Sequence, residues 1–179
     1  MEKANEILDF WLTKGPKIWW SKDDATDLEI KEKFGILYQA ACKGELQDWR
    51  DEPDPALAKV SLLDQFSRNL FRGSAKSFEQ DELALEIARY ALSREFNLKC
   101  NQELRNFFYL PFMHSEKIAN QEFCVKIMHA HADCNSLRAA LIHRAIIQRF
   151  GRFPHRNEVL NRHTTPAEQE FLDSGGFSG

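Results

Sequence analysis

Apolar side chains recur every three or four residues along most of this chain, which is the spacing of one face of an α-helix. In the stretch ANEILDFWL, near the start, the spacing puts Ile7, Leu8 and Trp11 on one such face. No segment alternates β-branched and polar residues between turn signals, as a half-buried strand does. The pattern therefore predicts an all-α protein of about eight helices, in antiparallel pairs joined by short loops.

Residues that start or stop helices mark the expected boundaries. Side chains able to accept a hydrogen bond from the first N–H groups of a helix are predicted to cap six helices: Asp54, Asn101, Ser115, Asn135 or Ser136, Asn157 and Thr165. Helix ends are expected at Gly15, Gly44, Gly73, Pro111 and Gly151. Thr165 also opens a predicted capping box, because Glu168 follows three residues later.

Length and composition favour one soluble domain. A chain of 179 residues with 43% apolar and 28% charged residues has material for one core and shows no compositional sign of disorder. We therefore expect a single all-α domain over 1–179, with 173–179 as a frayed tail. The first residues lack the features of a signal peptide, and no apolar stretch is long enough to span a membrane. We expect a cytoplasmic protein with no membrane partner.

The cysteines are expected to be free thiols, because the chain has no secretion signal and no C-x-x-C spacing. They are Cys42, Cys100, Cys124 and Cys134. Two of them lie close in sequence to His129 and His131, but the spacing matches no tetrahedral zinc pattern. We therefore expect no bound metal, and nothing in the sequence indicates a cofactor.

Positive charge is concentrated in one segment of an otherwise acidic chain. The net charge is -3, yet residues 136–163 hold six arginines, one acid and no lysine, which gives this segment a charge of +5. The arginines are Arg138, Arg144, Arg149, Arg152, Arg156 and Arg162. The acidic remainder argues against binding nucleic acid through bulk charge.

Two motifs in the middle of the chain bring polar residues together. LLDQFSRNLFRG puts Asp64, Arg68 and Arg72 at intervals of four on one helical face. This pattern fits a solvated row of ion pairs, and it also fits fixed recognition of an anion by two guanidinium groups. The HSE motif stands at an expected helix start, where His114 beside a carboxylate is suited to proton transfer near neutral pH. The structural alternative is that Ser115 only caps the helix.

The third motif, RFGRFPHRN, is the densest basic cluster, and its turn is expected to carry Arg149, Arg152, His155 and Arg156. Charges this close repel one another, so something must offset them. The acids Asp64, Glu116 and Asp81 could do so in a structural ion network. A small phosphate or carboxylate could instead be held by the arginines. An acidic macromolecule is a third alternative, which the acidic remainder of the chain disfavours.

Together the motifs resemble the bacterial family known as domain of unknown function 924. ILDFWL, LLDQFSRNLFRG, FFYLPFMHSE, HRAIIQRFGRFPHRNEVLNR and TTPAEQEFL occur in the family's order over essentially the whole chain. The resemblance implies one all-α domain with TPR-like helix pairs. The family has no established reaction, so the resemblance assigns no catalytic role to any residue. Two positions depart from the family: Ser67 replaces a proline that would bend the helix, and Met113 replaces an acid beside His114.

From these residues we predict that the three motifs converge on one electropositive pocket for a small anionic molecule. The predicted ligand-binding residues are Arg68, Asn69, Arg72, Arg149, Arg152, His155, Arg156 and Asn157. In a catalysed reaction, His114 or His143 would serve as acid or base, with Glu116 as the orienting partner. The alternative is a TPR-like module that clamps an acidic peptide, with the arginines partly in a structural ion network. The sequence leaves open whether a reaction occurs and which oligomer forms.

Overall fold

A computed structural model describes residues 2–177, and within that range the regular elements are helices, with no strand. Residues 2–177 contain nine α-helices: α1 (Glu2–Lys14), α2 (Pro16–Trp19), α3 (Asp24–Cys42), α4 (53–70), α5 (Asp81–Ser93), α6 (Leu110–His114), α7 (Ile118–His131), α8 (Cys134–Phe150) and α9 (Pro166–Asp173). Helix α4 consists of three consecutive segments, Pro53–Ser61, Leu62–Phe66 and Ser67–Leu70. Single turns of 3-10 helix occur at Gln47–Asp51, Ala75–Phe78, Phe96–Leu98, Arg105–Phe108 and Pro154–Arg156. The all-α prediction is confirmed. Among the helices of this range, none has the length and apolar character needed to cross a membrane.

The described residues group into two compact units. Unit 1 comprises residues 2–72 and 76–111 and contains α1 to α5; unit 2 comprises residues 73–75 and 112–177 and contains α7 to α9. The boundary falls within α6. A single domain over 1–179 stays a prediction. Of the tail predicted to fray, Asp173 is the last residue of α9, and residues 178 and 179 lie outside the described part.

Unit 1 is built around aromatic rings that its helices bury against one another. Phe66 of α4 stacks on Phe34 of α3 with ring centroids 5.0 Å apart, and Trp11 of α1 stacks on Phe107 at 5.5 Å. All four rings are buried. The indole N–H of Trp11 donates to Ser61 Oγ at 2.6 Å, so its polar atom is also satisfied. These contacts fix α4, which carries the LLDQFSRNLFRG motif.

The predicted helix ends are confirmed at four glycines with positive φ, which are Gly15, Gly44, Gly73 and Gly151. Gly151 has a φ of 71°, and its N–H closes α8 by donating to Ile147 O at 2.8 Å. The expected end at Pro111 is wrong. Pro111 is the second residue of α6, where a missing N–H costs no helical hydrogen bond. The helix predicted from Asn101 is also wrong, because a 3-10 turn at Arg105–Phe108 takes its place.

The capping box at Thr165 is confirmed, with Thr165 Oγ1 accepting from Glu168 N and the Glu168 carboxylate accepting from Thr165 N. Two other caps are displaced by two or three residues. Helix α4 begins at Pro53, and the carboxylate of Asp54 accepts instead from the backbone N–H of Asn101 at 2.9 Å. The cap of α8 is Asp133, which precedes the predicted Asn135 or Ser136 and accepts from both of their N–H groups.

Candidate functional site

The predicted site residues divide between the two units. Unit 1 contains Arg68, Asn69 and Arg72. Unit 2 contains His114, Glu116, His143, Arg149, Arg152, His155, Arg156 and Asn157. Convergence of all three motifs on one pocket therefore stays a prediction, and each group is described within its own unit.

Helix α4 contains a π-helical turn at Leu62–Phe66, inside the first motif. Such a turn shifts the backbone hydrogen bonds and exposes a carbonyl to other donors. Here the carbonyl of Asp64 accepts from Ser67 Oγ at 2.9 Å and from Arg68 Nη1 at 2.5 Å. The helix is thus distorted at this point although residue 67 is serine.

Arg68 is held by two acids. Its guanidinium donates to both oxygens of Asp81 at 3.0 and 3.1 Å, and Nη1 lies 3.4 Å from Asp64 Oδ1. The side chain of Asp64 is fully buried. Burial alone would lower the pKa of Arg68, but the charges of Asp64 and Asp81 outweigh it and raise the pKa. Arg68 therefore belongs to a partly buried ion network with Asp64 and Asp81, two acids that the sequence analysis offered as partners for the arginines of the third motif.

Asn69 and Arg72 share one carboxylate, that of Asp27 in α3. Arg72 donates through Nε and Nη2 at 2.7 and 2.8 Å, and Asn69 Nδ2 donates to Asp27 Oδ1 at 2.7 Å. The hydrogen bonds that Arg72 donates to the Asp27 carboxylate raise the pKa of Arg72. The sequence analysis missed Asp27, and its only sequence signal is that it is an acid on the exposed edge of a predicted helix.

In unit 2, Arg152 forms a two-point ion pair with Glu168 of α9. Arg152 Nε and Nη2 donate to the two carboxylate oxygens at 2.6 and 2.7 Å, and Nη2 also donates to His163 O at 2.7 Å. Glu168 accepts further from Thr165 N at 2.8 Å and Asn157 Nδ2 at 3.4 Å. The pair with Arg152 lowers the pKa of Glu168 to about 2. Arg152 and Asn157 thus fasten the loop that leads into α9.

The HSE turn is held by buried side chains of the same unit. Gln121 is fully buried, and its Nε2 donates to the carbonyls of Met113 and Ser115 at 2.6 and 2.7 Å. Arg156 Nη2 donates to the carbonyl between them, that of His114, at 3.0 Å. Three consecutive carbonyls are fixed in this way. The position of the His114 ring is therefore set through its backbone.

Glu116 ties the HSE turn to the third motif. Its carboxylate accepts from Phe153 N at 2.9 Å and twice from Arg162 Nη1 at 2.9 Å. A role for Glu116 in orienting His114 stays a prediction. The predicted cap at Ser115 is wrong, because α7 begins at Ile118. The hydroxyl of Ser115 instead accepts from two groups just beyond it in the turn, Lys117 N and Asn120 Nδ2.

Two imidazoles pack against two phenylalanine rings and a third imidazole lies beside one of them, and we call this group the histidine cluster: His114, His143, Phe153, His155 and Phe177. The His114 and His143 ring centroids are 6.5 Å apart. His143 lies 5.6 Å from Phe153 and 4.5 Å from Phe177, and His155 lies 5.6 and 5.2 Å from the same two rings. The cluster joins α6, α8, the Pro154–Arg156 turn and the end of the chain.

Two polar groups give the cluster its chemistry. The guanidinium carbon of Arg156 lies 4.6 Å above the Phe153 ring, and the side chain is buried. His143 Nδ1 lies 2.8 Å from the carbonyl of Ala139. Because a carbonyl only accepts, Nδ1 carries the proton, and Nε2 holds the lone pair in the neutral ring.

The predicted cap at Asn157 is wrong, since this residue follows the 3-10 turn and ends it.

Arg149 lies outside the histidine cluster. Its side chain is exposed on α8, with the guanidinium carbon 4.7 Å from the Phe150 ring centroid and 5.9 Å from that of Phe171. The structure therefore places the three arginines of RFGRFPHRN in three settings. Arg149 lies on the surface, Arg152 pairs with Glu168, and Arg156 supports the HSE turn.

The family model for bacterial proteins of unknown function, DUF924, matches residues 7–176. The chain belongs to this family. A solved structure of a protein of unknown function from Agrobacterium tumefaciens is 41% identical to this DUF924 chain, covers 97% of it and 98% of its own length, and superimposes with a TM-score of 0.94. No curated protein matches the chain. The resemblance inferred from the motifs is confirmed.

The DUF924 chain shows no site with metal-ligand geometry: across residues 2–177 no group of three or more His, Cys, Asp or Glu side chains could hold a metal ion. All four cysteines are free thiols, as predicted. Burial raises the pKa of Cys100 and of Cys124 to about 12. These two thiols are therefore not nucleophiles at neutral pH.

Proposed function

We propose that this protein binds a small anionic molecule, one that carries a phosphate or a carboxylate, at the histidine cluster of unit 2. The observation that supports this is the packing of His143 and His155 against Phe153, with His114 beside His143 and the guanidinium of Arg156 over the Phe153 ring. Imidazolium and guanidinium N–H groups are the donors that bind such oxyanions. The phenylalanine rings would exclude water and strengthen these contacts.

The proposal rests on this cluster rather than on the number of arginines. Arg68, Arg72, Arg152 and Arg162 each form an ion pair with a carboxylate of the same unit. A ligand would have to displace those acids, and a displaced, partly buried carboxylate is costly. The ion pairs support the structural-network alternative for these four residues, and the histidine cluster supports ligand binding beside them.

Within the proposed site, His143 is the best candidate for moving a proton. Its Nδ1 is held by Ala139 O at 2.8 Å, which fixes the orientation of the ring and makes Nε2 the basic nitrogen of the neutral imidazole. His114 would complete the pair at a ring separation of 6.5 Å. This extends the proposal to acid–base chemistry on the ligand.

Three further proposals have fewer observations behind them: TPR-like stacking, clamping of an acidic peptide and a cytoplasmic location. The α7–α8 pair supports the first. These two helices pack along each other, and only Ala132 and Asp133 separate them, so they run antiparallel.

Ligand-dependent thermal unfolding tests the proposed function. Inorganic phosphate, phosphorylated metabolites, nucleotides and dicarboxylates would be titrated at constant ionic strength against wild type, His114→Gln and His129→Gln. His129 is an exposed histidine of α7 and serves as the matched control. At about 100 times its dissociation constant a ligand adds about 2.7 kcal/mol of stability.

We expect at least one of these anions to stabilise wild type and His129→Gln, and to stabilise His114→Gln much less. The stabilisation should be larger at about pH 6 than at about pH 8, because imidazolium binds an anion more strongly than imidazole does. If no anion raises the unfolding temperature, or if all three proteins respond equally, the histidine cluster is not an anion site.

A further inference from the structure

Three helices each expose two large apolar side chains within the described residues, namely α3, α7 and α8. Eight large apolar residues are exposed within residues 2–177, and four of them lie on α3 and α8. Leu28 and Ile36 of α3 are 55% and 86% exposed, and Leu141 and Ile142 of α8 are 39% and 44% exposed. Single exposed apolar residues need no explanation, but adjacent ones on one face mark an interaction surface.

The first surface, the α8 stripe, consists of Arg138, Leu141, Ile142, Ala145 and Arg149. All five residues are exposed, and their spacing keeps them on one side of the helix. The two arginines stand about 16 Å apart along the axis, on either side of the apolar residues. Neither forms an ion pair within the described part of the chain. The stripe therefore presents an apolar centre between two unpaired positive charges.

The second surface, the α3 stripe, consists of Asp24, Leu28, Glu32 and Ile36 at intervals of four. All four residues are exposed. Asp24 and Glu32 are about 12 Å apart along the axis. Neither carboxylate has an ion-pair partner among residues 2–177. The α3 stripe thus places Leu28 between two acids, as the α8 stripe places Leu141 and Ile142 between two arginines, and Ile36 extends it beyond Glu32.

We infer that this protein self-associates through these stripes, with the α3 stripe of one copy packed on the α8 stripe of a second copy. The contact would bury Leu28 against Leu141 and Ile142, with Ile36 at one end of the interface beyond Glu32. Two acids would then meet two arginines at the rim, where long arginine side chains can span the difference in spacing. An apolar centre with a charged rim is the usual composition of a protein interface. Opposite charges also fix the register of the two helices.

This inference is independent of the proposed anion site, since it uses no residue of the histidine cluster. It assigns a role to Arg149, whose guanidinium lies beside Phe150 and Phe171 at the end of the stripe. An acidic amphipathic peptide is the other partner that would fit the α8 stripe. The α3 stripe favours a second copy, because the chain itself carries the complementary face.

Sedimentation velocity with a charge swap tests the inference. Variant A carries Arg138→Glu and Arg149→Glu, which makes both of its stripes acidic. Variant B carries Asp24→Lys and Glu32→Lys, which makes both of its stripes basic. The matched control reverses Lys22 and Lys126 to Glu, two exposed lysines outside the stripes, and so changes the net charge as variant A does. Far-UV circular dichroism would confirm that each variant is helical.

We expect wild type and the control to associate as the concentration rises from about 1 to about 200 µM. Variants A and B alone should associate about tenfold more weakly. An equimolar mixture of A and B should regain the wild-type affinity, because every acidic stripe then meets a basic one. Raising the salt to about 0.5 M should weaken association of the wild type, and this measurement needs no variant protein.

The inference is overturned by a wild type that stays monomeric over this range. Variant A associating as tightly as wild type would overturn it as well, and so would a mixture that remains as weak as its components. If the wild type is monomeric but an acidic amphipathic peptide binds it and not variant A, the partner of the α8 stripe is a peptide and not a second copy.

Discussion

Replacing Glu168 by glutamine removes the negative charge that pairs with Arg152 and leaves the size of the side chain almost unchanged. Glu168 accepts hydrogen bonds from Arg152 Nε and Nη2 and from the N–H of Thr165. A glutamine can keep only part of this set, because one of its two terminal atoms is a donor. We expect Glu168→Gln to destabilise the loop between the third motif and α9.

The magnitude follows from the pKa of this carboxyl. It is lowered from 4.5 to about 2 in the folded chain. Because one pKa unit corresponds to about 1.4 kcal/mol, the ionised form can contribute at most about 3 kcal/mol. The side chain of Arg152 is 28% exposed, so water screens the pair, and we expect a loss of about 1–2 kcal/mol at neutral pH.

The pH dependence has a definite direction. A carboxyl with a lower pKa in the folded than in the unfolded chain stabilises the fold when it is ionised. This contribution is fully present above about pH 4.5, and it is lost as the pH falls toward about 2. The difference between wild type and Glu168→Gln should therefore shrink over this range.

Thermal unfolding followed by circular dichroism measures both effects. For a chain of this size each kcal/mol lowers the midpoint by about 2–4 °C. Glu170→Gln is the control, since Glu170 is exposed on the same helix. If the two variants lose the same stability at about pH 7, or if the deficit of Glu168→Gln is as large at about pH 3, the charge of Glu168 does not stabilise the fold in the way proposed here.

Three further substitutions probe other predictions of the structure. Asp27→Asn should lower stability by up to about 1 kcal/mol, because it removes the ion pair with Arg72 and weakens the hydrogen bond from Asn69. Urea denaturation should show this loss at low salt and a smaller loss at about 0.5 M salt. Gly151→Ala should cost about 1 kcal/mol in the same assay, since its φ of +71° is strained for alanine although no atom lies within 4 Å of the added methyl. Gly35→Ala, in the interior of α3 and equally unobstructed, should instead stabilise the protein.

Helix ends can be predicted from this sequence because their cause is local. Gly15 and Gly151 have φ of 73° and 71°, a conformation that other residues rarely adopt, and a helix stops beside each of them. Helix starts are predicted less well, because a capping side chain has other partners to choose from. Asp54 bonds the N–H of Asn101, 47 residues away, and Ser115 accepts from Asn120 instead of opening α7.

In the candidate site, too, some ion-pair partners of the arginines are close in sequence and others are distant. The contact between Arg68 and Asp64 could be predicted, since the two residues are four apart on one helix. The partners of Arg72 and Arg152 could not. Asp27 lies 45 residues from Arg72, and Glu168 lies 16 residues from Arg152. Only the packing of α3 on α4, and of α9 on the third motif, brings these acids within reach.

The three arginines of RFGRFPHRN have three different structural roles and not a shared one. In Arg152 the Nε–Nη2 edge of the guanidinium is taken by the Glu168 carboxylate, which also neutralises its charge, so Arg152 has less to offer an anionic ligand. Arg156 donates to the backbone carbonyl of His114, and its guanidinium lies 4.6 Å from the Phe153 ring, beside the imidazoles of the histidine cluster. Arg149 points its charge to solvent. Because these tasks are distinct, removing each charge should have a distinct consequence: loop stability for Arg152, anion affinity for Arg156 and self-association for Arg149.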